Sequence, residues 1–328
     1  MNVLVLGGAG YIGSHAVKEL IESGHGAVVV DTLEVGHLQA VDVNAKFYRG
    51  DLRDARLMDR VFNENEIDSC IDFAAYTVVA ESMADPLKYY ENNVNGMSAL
   101  LSSMIKHNVN KIVFSSTASV YGIPKRVPVI ETDETLPINP YGETKLAVEK
   151  MLMWAERAYG IKYISLRYFN VAGAHASGEI GEAHDPETHL VPLAIKAALS
   201  EDKNFKIFGN DYATPDGTCI RDYVHVTDLS AAHALAVEKL YGGGDSAVYN
   251  LGNGAGFTND EIISAVEAAA GVKIKRIYGE RRPGDPDALV ASSEKIIREL
   301  GWNPRYKNLS DIINSAYKWH QGHPNGYR

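Results

Sequence analysis

Apolar residues along this chain fall into short bursts of two kinds. Val3-Leu4-Val5-Leu6 is an unbroken run of strand length, and Ala27-Val28-Val29-Val30 repeats it. Between them, residues 14–23 carry Ala16, Val17, Leu20 and Ile21 at the spacing of a helix face. Strand-like runs follow at 46–49, 69–73, 111–115 and 163–167, with helical patterns near 54–63, 91–107 and 143–159. Strands that are apolar throughout, rather than alternating, are covered on both faces, and their interleaving with helices predicts a parallel sheet. The fold class is therefore α/β, a doubly wound parallel sheet of Rossmann type. Beyond residue 170 the pattern loosens into loops and shorter runs, which predicts a smaller mixed C-terminal domain over the mouth of the sheet. We place the division at 1–170 and 171–328, with the run at 248–251 a candidate to return to the first sheet.

The first burst is followed at once by Gly7-Gly8-Ala9-Gly10-Tyr11-Ile12-Gly13. Glycines at 7, 10 and 13 between a strand and a helix permit a tight turn and let backbone N–H groups approach a pyrophosphate at the helix N-terminus. The second strand ends at Asp31, 18 residues beyond Gly13. A carboxylate there accepts hydrogen bonds from an adenosine ribose and repels a 2′-phosphate, so NAD is favoured over NADP. In a doubly wound sheet the ligands lie at the carboxyl ends of the strands. Asp51-Leu52, Phe73-Ala74-Ala75, Ser115-Ser116-Thr117 and Tyr168-Phe169-Asn170 occupy those ends.

Asn139-Pro140-Tyr141-Gly142-Glu143-Thr144-Lys145 opens the fourth helical pattern. Residues i and i+4 share a helix face, which places the Lys145 ammonium beside the Tyr141 phenol. A free phenol titrates near roughly 10, and a neighbouring cation lowers that value. Tyr141 is thus a candidate base and Lys145 its tuning group.

The composition narrows the partners. At 328 residues the chain holds 32 Lys and Arg against 42 Asp and Glu, a formal charge of −10. That balance argues against nucleic acid or an anionic membrane surface as partner. Cys70 and Cys219 stand far apart, as expected of two reduced thiols in a cytoplasmic protein. The 11 His are scattered, and we expect no metal. There is no apolar stretch of spanning length and no basic leader before the first strand, so neither a membrane span nor a secretory signal is expected.

The motifs resemble those of the UDP-galactose 4-epimerases, in the extended short-chain dehydrogenase/reductase superfamily, from Met1 to Tyr327. The superfamily marks are the glycine turn at 7–13 and Tyr141-x-x-x-Lys145. More specific are Tyr89-Tyr90-Glu91-Asn92-Asn93, Ser115-Ser116-Thr117-Ala118-Ser119-Val120-Tyr121-Gly122 and Arg167-Tyr168-Phe169-Asn170. Phe208-Gly209-Asn210-Asp211-Tyr212, Asp216-Gly217-Thr218, Arg221-Asp222-Tyr223-Val224-His225-Val226 and His323-Pro324-Asn325-Gly326-Tyr327 complete the set.

The resemblance implies epimerisation at carbon 4 of a UDP-hexose. A base removes the hydroxyl proton while NAD takes the hydride; the keto sugar then turns and the hydride returns to its other face. Tyr141 is the implied base, Lys145 also holds the nicotinamide ribose, and the Thr117 hydroxyl polarises the same oxygen. NAD, regenerated at each turnover, is expected to stay bound. Its implied contacts are Gly7, Gly10, Tyr11, Ile12, Gly13 and Asp31 at the first two strands. Asp51, Leu52, Phe73, Ala74, Ala75 and Asn92 follow, then Ser115, Tyr141, Lys145 and Tyr168. On the substrate side Arg221 and Arg282 are the implied diphosphate clamps. Asp285 serves the uridine ribose, Asn170 the sugar and phosphate, and Leu190 and Phe208 the uracil pocket. A homodimer paired through the helices at 92–107 and 143–159 is implied as well.

Three positions depart from the pattern. Thr77 stands where relatives carry a Lys that contacts the cofactor. Asp31-Thr32-Leu33-Glu34-Val35 replaces the usual residues near the adenine. Leu289 occupies the place where a bulky Tyr is associated with exclusion of N-acetylated sugars, which leaves UDP-N-acetylhexosamines open as substrates. Thr117 is followed by Ala118-Ser119 and not by an acid pair, so 4,6-dehydratase chemistry lacks its acid. UDP-uronic acid 4-epimerases and non-catalytic NAD-binding regulators are the remaining alternatives.

Overall fold

The computed structural model describes residues 1–282 and 285–328. The strands and helices of its first half alternate: β1 (Asn2–Leu6), α1 (Tyr11–Glu22), β2 (Gly26–Asp31), β3 (Lys46–Arg49), α2 (Ala55–Glu64) and β4 (Ser69–Asp72). Short α3 (Val79–Ala84) and α4 (Pro86–Tyr89) lead through a π-turn at Tyr90–Val94 into α5 (Asn95–Lys106). Then come β5 (Lys111–Thr117), α6 (Pro140–Tyr159) and β6 (Lys162–Tyr168).

The second half contributes β7 (Asn170–Ala172), α7 (Leu190–Leu199), β8 (Asn204–Phe208), β9 (Ile220–Arg221), β10 (Tyr223–His225) and α8 (Val226–Tyr241). It ends with β11 (Ala247–Leu251), β12 (Phe257–Thr258), α9 (Asn259–Ala270), β13 (Lys275–Gly279), β14 (Ala288–Leu289), α10 (Glu294–Leu300) and α11 (Leu309–Gly322).

Seven strands form one parallel sheet in the order β11-β6-β5-β4-β1-β2-β3. The run at 248–251 does return: β11 pairs with β6, Tyr249 beside Leu166. In β1 the side chains alternate between two cores. Leu4 and Leu6 pack with Met58, Leu100 and Leu152 from α2, α5 and α6. Val3 and Val5 pack with Leu20, Leu229 and Val237 from α1 and α8. Both faces being dry is why the strand reads as a continuous apolar run. A third core, with Ile195, Ile207, Ile263 and Ile313, joins α7, α9, α11 and β8 in the smaller lobe.

The sheet order reverses between β1 and β4, the switch point at which a doubly wound sheet opens a crevice. Sequence periodicity extended the helix before β5 back to residue 91. The structure instead opens it with the π-turn, which turns the buried Asn93 amide inward. Asn93 accepts from the Tyr76 N–H at 2.9 Å and donates to the Tyr76 carbonyl and the Thr144 hydroxyl, each at 3.1 Å. That link fastens the loop after β4 to α6, and periodicity carries no trace of it.

Candidate active site

Gly7 follows β1 at φ +74°, and a side chain there would meet the Ala74 N–H at 2.9 Å. A Cβ on Gly13 would collide with the Gly7 carbonyl. Gly10 caps α1 with no side-chain partner for the free N–H groups of the first turn. Asp31 ends β2 and braces the turn: one carboxylate oxygen accepts from the Ala9 N–H at 3.0 Å and the other from Leu33 at 2.8 Å. A carboxylate offers about four lone-pair sites, so capacity remains for two ribose hydroxyls. The glycine cradle, the bare helix end and the braced carboxylate fit the adenosine diphosphate portion of NAD.

Other residues expected at the cofactor lie along the same edge. Phe73 donates its N–H to the Leu6 carbonyl, 2.9 Å, and Ala74 donates to Asp72, 3.0 Å. Leu52 is buried. Asp51 is drawn into a two-pronged pair with Arg53, its closest contact 2.6 Å, which holds the carboxyl below its ordinary range. The Asn92 amide donates to Asn93 at 3.1 Å. Tyr11 sends its hydroxyl to the Gly173 carbonyl, 2.6 Å, so the first residue of α1 also ties the two lobes together. Thr77, one of the departures, is exposed.

The candidate reactive groups come from β5 and α6. Asn139 caps α6 by accepting from the Gly142 N–H at 2.8 Å, and Pro140 starts the helix. A Cβ on Gly142 would stand 2.7 Å from the Ser119 carbonyl, so glycine lets α6 lie directly on the turn that follows β5. That approach brings Tyr141 to Thr117. Burial pushes the Tyr141 phenol up to about 12, and the nearby Thr117 hydroxyl works against that rise.

Lys145, buried, donates to the Ser115 carbonyl at 2.7 Å and lies over the Phe114 ring, 4.8 Å from its centre. Burial pulls its ammonium down to about 8, opposed by the negative charges of Asp72 and Glu149. The bond to the Ser115 carbonyl takes one of the three N–H donors of the Lys145 ammonium and leaves two for other acceptors. The Ser115 hydroxyl in turn meets the Tyr168 hydroxyl.

Asp72, at the end of β4, escaped the sequence reading. Its own carboxyl is pushed up to about 6 by burial, with the Lys145 cation pulling the other way. The available signal was a single acid closing an otherwise apolar strand, Cys70-Ile71-Asp72-Phe73. Tyr121 is structural: its hydroxyl donates to Asn250 at 2.7 Å and accepts from Arg167 at 2.9 Å.

On the facing side Arg221, in β9, donates to the Ile220 and Pro286 carbonyls at 2.8 and 2.9 Å and lies 3.4 Å from Asp285. Leu289 stands beside Arg221 in the β14–β9 pairing and packs on the cluster of Ala118, Tyr121 and Phe169. Arg282 lies over the Phe208 ring at 4.5 Å. Arg281 is more than a solvated neighbour: it pairs with Asp211 at 2.6 Å and covers Tyr212 at 4.0 Å. Asn170 begins β7, its N–H bonded to Asp222 at 3.0 Å, and Leu190 is the first residue of α7.

Missed as well was the loop before α7, where Glu182, His184, Glu187 and His189 converge. Their spacing of two, three and two residues matches neither strand nor helix periodicity.

Cradle, braced acid and buried Tyr–Lys pair together define an NAD-dependent enzyme of the short-chain dehydrogenase type. Residues 3–252 match the model of the NAD dependent epimerase/dehydratase family. The chain is 53% identical over 329 residues to the UDP-glucose 4-epimerase of Streptococcus mutans serotype c, covering 100% of this chain and 99% of the relative. A crystal structure of a UDP-glucose 4-epimerase superposes with a TM-score of 0.97 at 51% identity over 100% of both chains. That of Bifidobacterium longum UDP-glucose 4-epimerase in complex with NAD+ and UDP gives 0.94 at 41%, again over 100% of both. The chain belongs to the NAD dependent epimerase/dehydratase family.

Proposed function

We propose that the chain interconverts UDP-galactose and UDP-glucose, with Tyr141 as the base at the sugar 4-hydroxyl. The observation that carries this reading is the buried Tyr141 phenol at the start of α6, near the Thr117 hydroxyl at the carboxyl end of β5 and one helical turn before the buried Lys145. NAD, when bound, supplies the hydride acceptor and returns the hydride to the opposite face of the sugar ring. Tyr141 takes and gives back the hydroxyl proton, and Thr117 shares that hydrogen bond. Lys145 positions the cofactor ribose while anchored to β5. Arg221 and Arg282 neutralise the diphosphate, and Asp285 and Phe208 hold the uridine, which leaves the hexose free to turn. Ala118 and Ser119 provide no acid to expel water, in keeping with epimerisation.

Incubation of the purified protein with UDP-galactose, without added NAD, tests this directly. UDP-glucose is the expected product. No conversion with or without added NAD would overturn the reading. Leu289, which packs on the cluster that contains Ala118, is smaller than Tyr, and we take it as the candidate gate for an N-acetyl group. Leu289→Tyr is expected to suppress UDP-N-acetylglucosamine turnover before UDP-galactose turnover; equal losses would remove Leu289 as a size gate.

The pairing surface we favour for a homodimer is the outer side of α5 and α6. Trp154 and Tyr159 are 60% and 62% exposed there, and Ile105 40%. A light-scattering mass of two chains, halved by Trp154→Glu, is the expected result.

A further inference from the structure

We propose that Glu182, His184, Glu187 and His189 bind one divalent transition metal ion of the zinc class, as a closed structural site in the loop before α7. This goes beyond the epimerase reading and is tested without any activity measurement. One ligand atom from each residue lies within 4.8 Å of the others. His184 Nδ1 is 3.2 Å from Glu182 Oε1 and 3.7 Å from Glu187 Oε2. His189 Nδ1 is 2.7 Å from the same Glu182 oxygen and 3.3 Å from Glu187 Oε1. Ligands at about 2.1 Å from a tetrahedral ion stand about 3.4 Å from one another, and the 3.2 and 3.7 Å separations at His184 approximate two such edges, with Glu182 Oε1 and Glu187 Oε2 as the ligating oxygens.

A second observation points the same way. Glu182 Oε1, His184 Nδ1 and Glu187 Oε2 are shut off from solvent yet make no hydrogen bond among the described residues, although they face one another. The two carboxylate side chains are only 4% and 2% exposed. Glu187 Oε1 is held by the Thr188 and His189 N–H groups at 2.8 and 2.9 Å, so Glu182 Oε1 and Glu187 Oε2 are the oxygens left without an aligned donor, and a buried acceptor so left is costly. A dication ligated by neutral imidazoles cancels both negative charges, and it uses the lone pairs left without donors.

The donor set decides the class of ion. Calcium and magnesium prefer oxygen ligands, whereas two imidazole nitrogens with two carboxylates suit zinc and its first-row neighbours. Four protein ligands fill a tetrahedron, which marks the site as structural.

The place of this loop gives the ion a task. The Glu182 carbonyl accepts from the Trp319 indole at 3.0 Å, the Ala183 carbonyl contacts His37 at 2.8 Å, and Gly181 accepts from and donates to Tyr327. The His184 ring stands edge-on to Tyr11, 6.3 Å between centres, at the head of the cofactor helix. His189 directly precedes Leu190 and α7. Binding would thus fix the start of α7 relative to the glycine turn.

The test uses the NAD-loaded protein, purified without a histidine tag and stripped by a chelator. Titration with zinc against a chromophoric chelator is expected to give one ion per chain and a higher Tm. Replacement by cobalt(II) should give the intense visible absorption of a tetrahedral centre. His184→Gln and Glu187→Gln should each weaken zinc at least about tenfold while retaining NAD. No zinc uptake by the stripped wild type, or uptake unchanged in the double variant, overturns the site and leaves the four groups as an imidazolium–carboxylate cluster. Should the variants fail to fold, the cobalt spectrum of the wild type decides alone: a weak octahedral band, or none, refutes the tetrahedral site.

Discussion

Tyr141 and Lys145 share a helix face, yet their chemistry is set by what surrounds each. The phenol is raised by burial and relieved by Thr117, and the ammonium is lowered by burial and supported by Asp72. Tyr141→Phe removes the only oxygen of that side chain, so turnover should vanish while NAD remains bound. Retained activity would remove Tyr141 as the base. Asp72→Asn withdraws a negative charge that keeps Lys145 protonated, so the Lys145 pKa, about 8 in the intact protein, should fall further. If activity needs the ammonium, its alkaline limb moves to lower pH in this variant; an unshifted profile of kcat/KM would exclude Asp72 from tuning. The Tyr–Lys pair was legible because i and i+4 spacing is local. Asp72 was not, since its partner lies on another element and only the folded sheet brings them together.

The elements explain which parts of the fold the sequence exposes. Strands β1, β2, β4, β5 and β6 were readable because each is largely dry on both faces, and helices α1, α2 and α6 because each presents one apolar stripe; edge strand β3 buries only Tyr48. The π-turn at Tyr90–Val94 was not, because a single wide turn leaves the hydrophobic period nearly intact while redirecting Asn93. The loop holding Glu182 and His189 has no period at all. Helix α6 shows how local rules set the site. Asn139→Ala removes its cap and should cost about 1 kcal/mol of stability, read as a lower denaturation midpoint. Gly142→Ala should act differently, pressing a methyl against the Ser119 carbonyl and displacing Tyr141 from Thr117. A loss of kcat larger than the loss of stability is expected there.

Across the whole molecule, several buried imidazoles carry no charge. Burial draws His15 and His225 down to about 3 and His233 down to about 4. In the unfolded chain each titrates near roughly 6.5. Between those values the unfolded state binds more protons, so stability is full above about 6.5 and is lost as pH falls through the window, by about 1.4 kcal/mol per pH unit for each ring. Tm should therefore drop between pH 7 and pH 5. His233→Leu, which gives up only the Nδ1 contact with the Leu229 carbonyl among the described residues, should flatten that drop; an identical pH dependence would assign it to other groups.

The central sheet draws its first strand from residues 2–6 and an edge strand from 247–251. During synthesis at the ribosome, the nascent chain therefore holds β6 with an unpaired edge until most of its length has emerged. Cutting near residue 170 would leave that edge bare, a template for another chain to pair with. Expression of residues 1–170 alone is expected to yield aggregates.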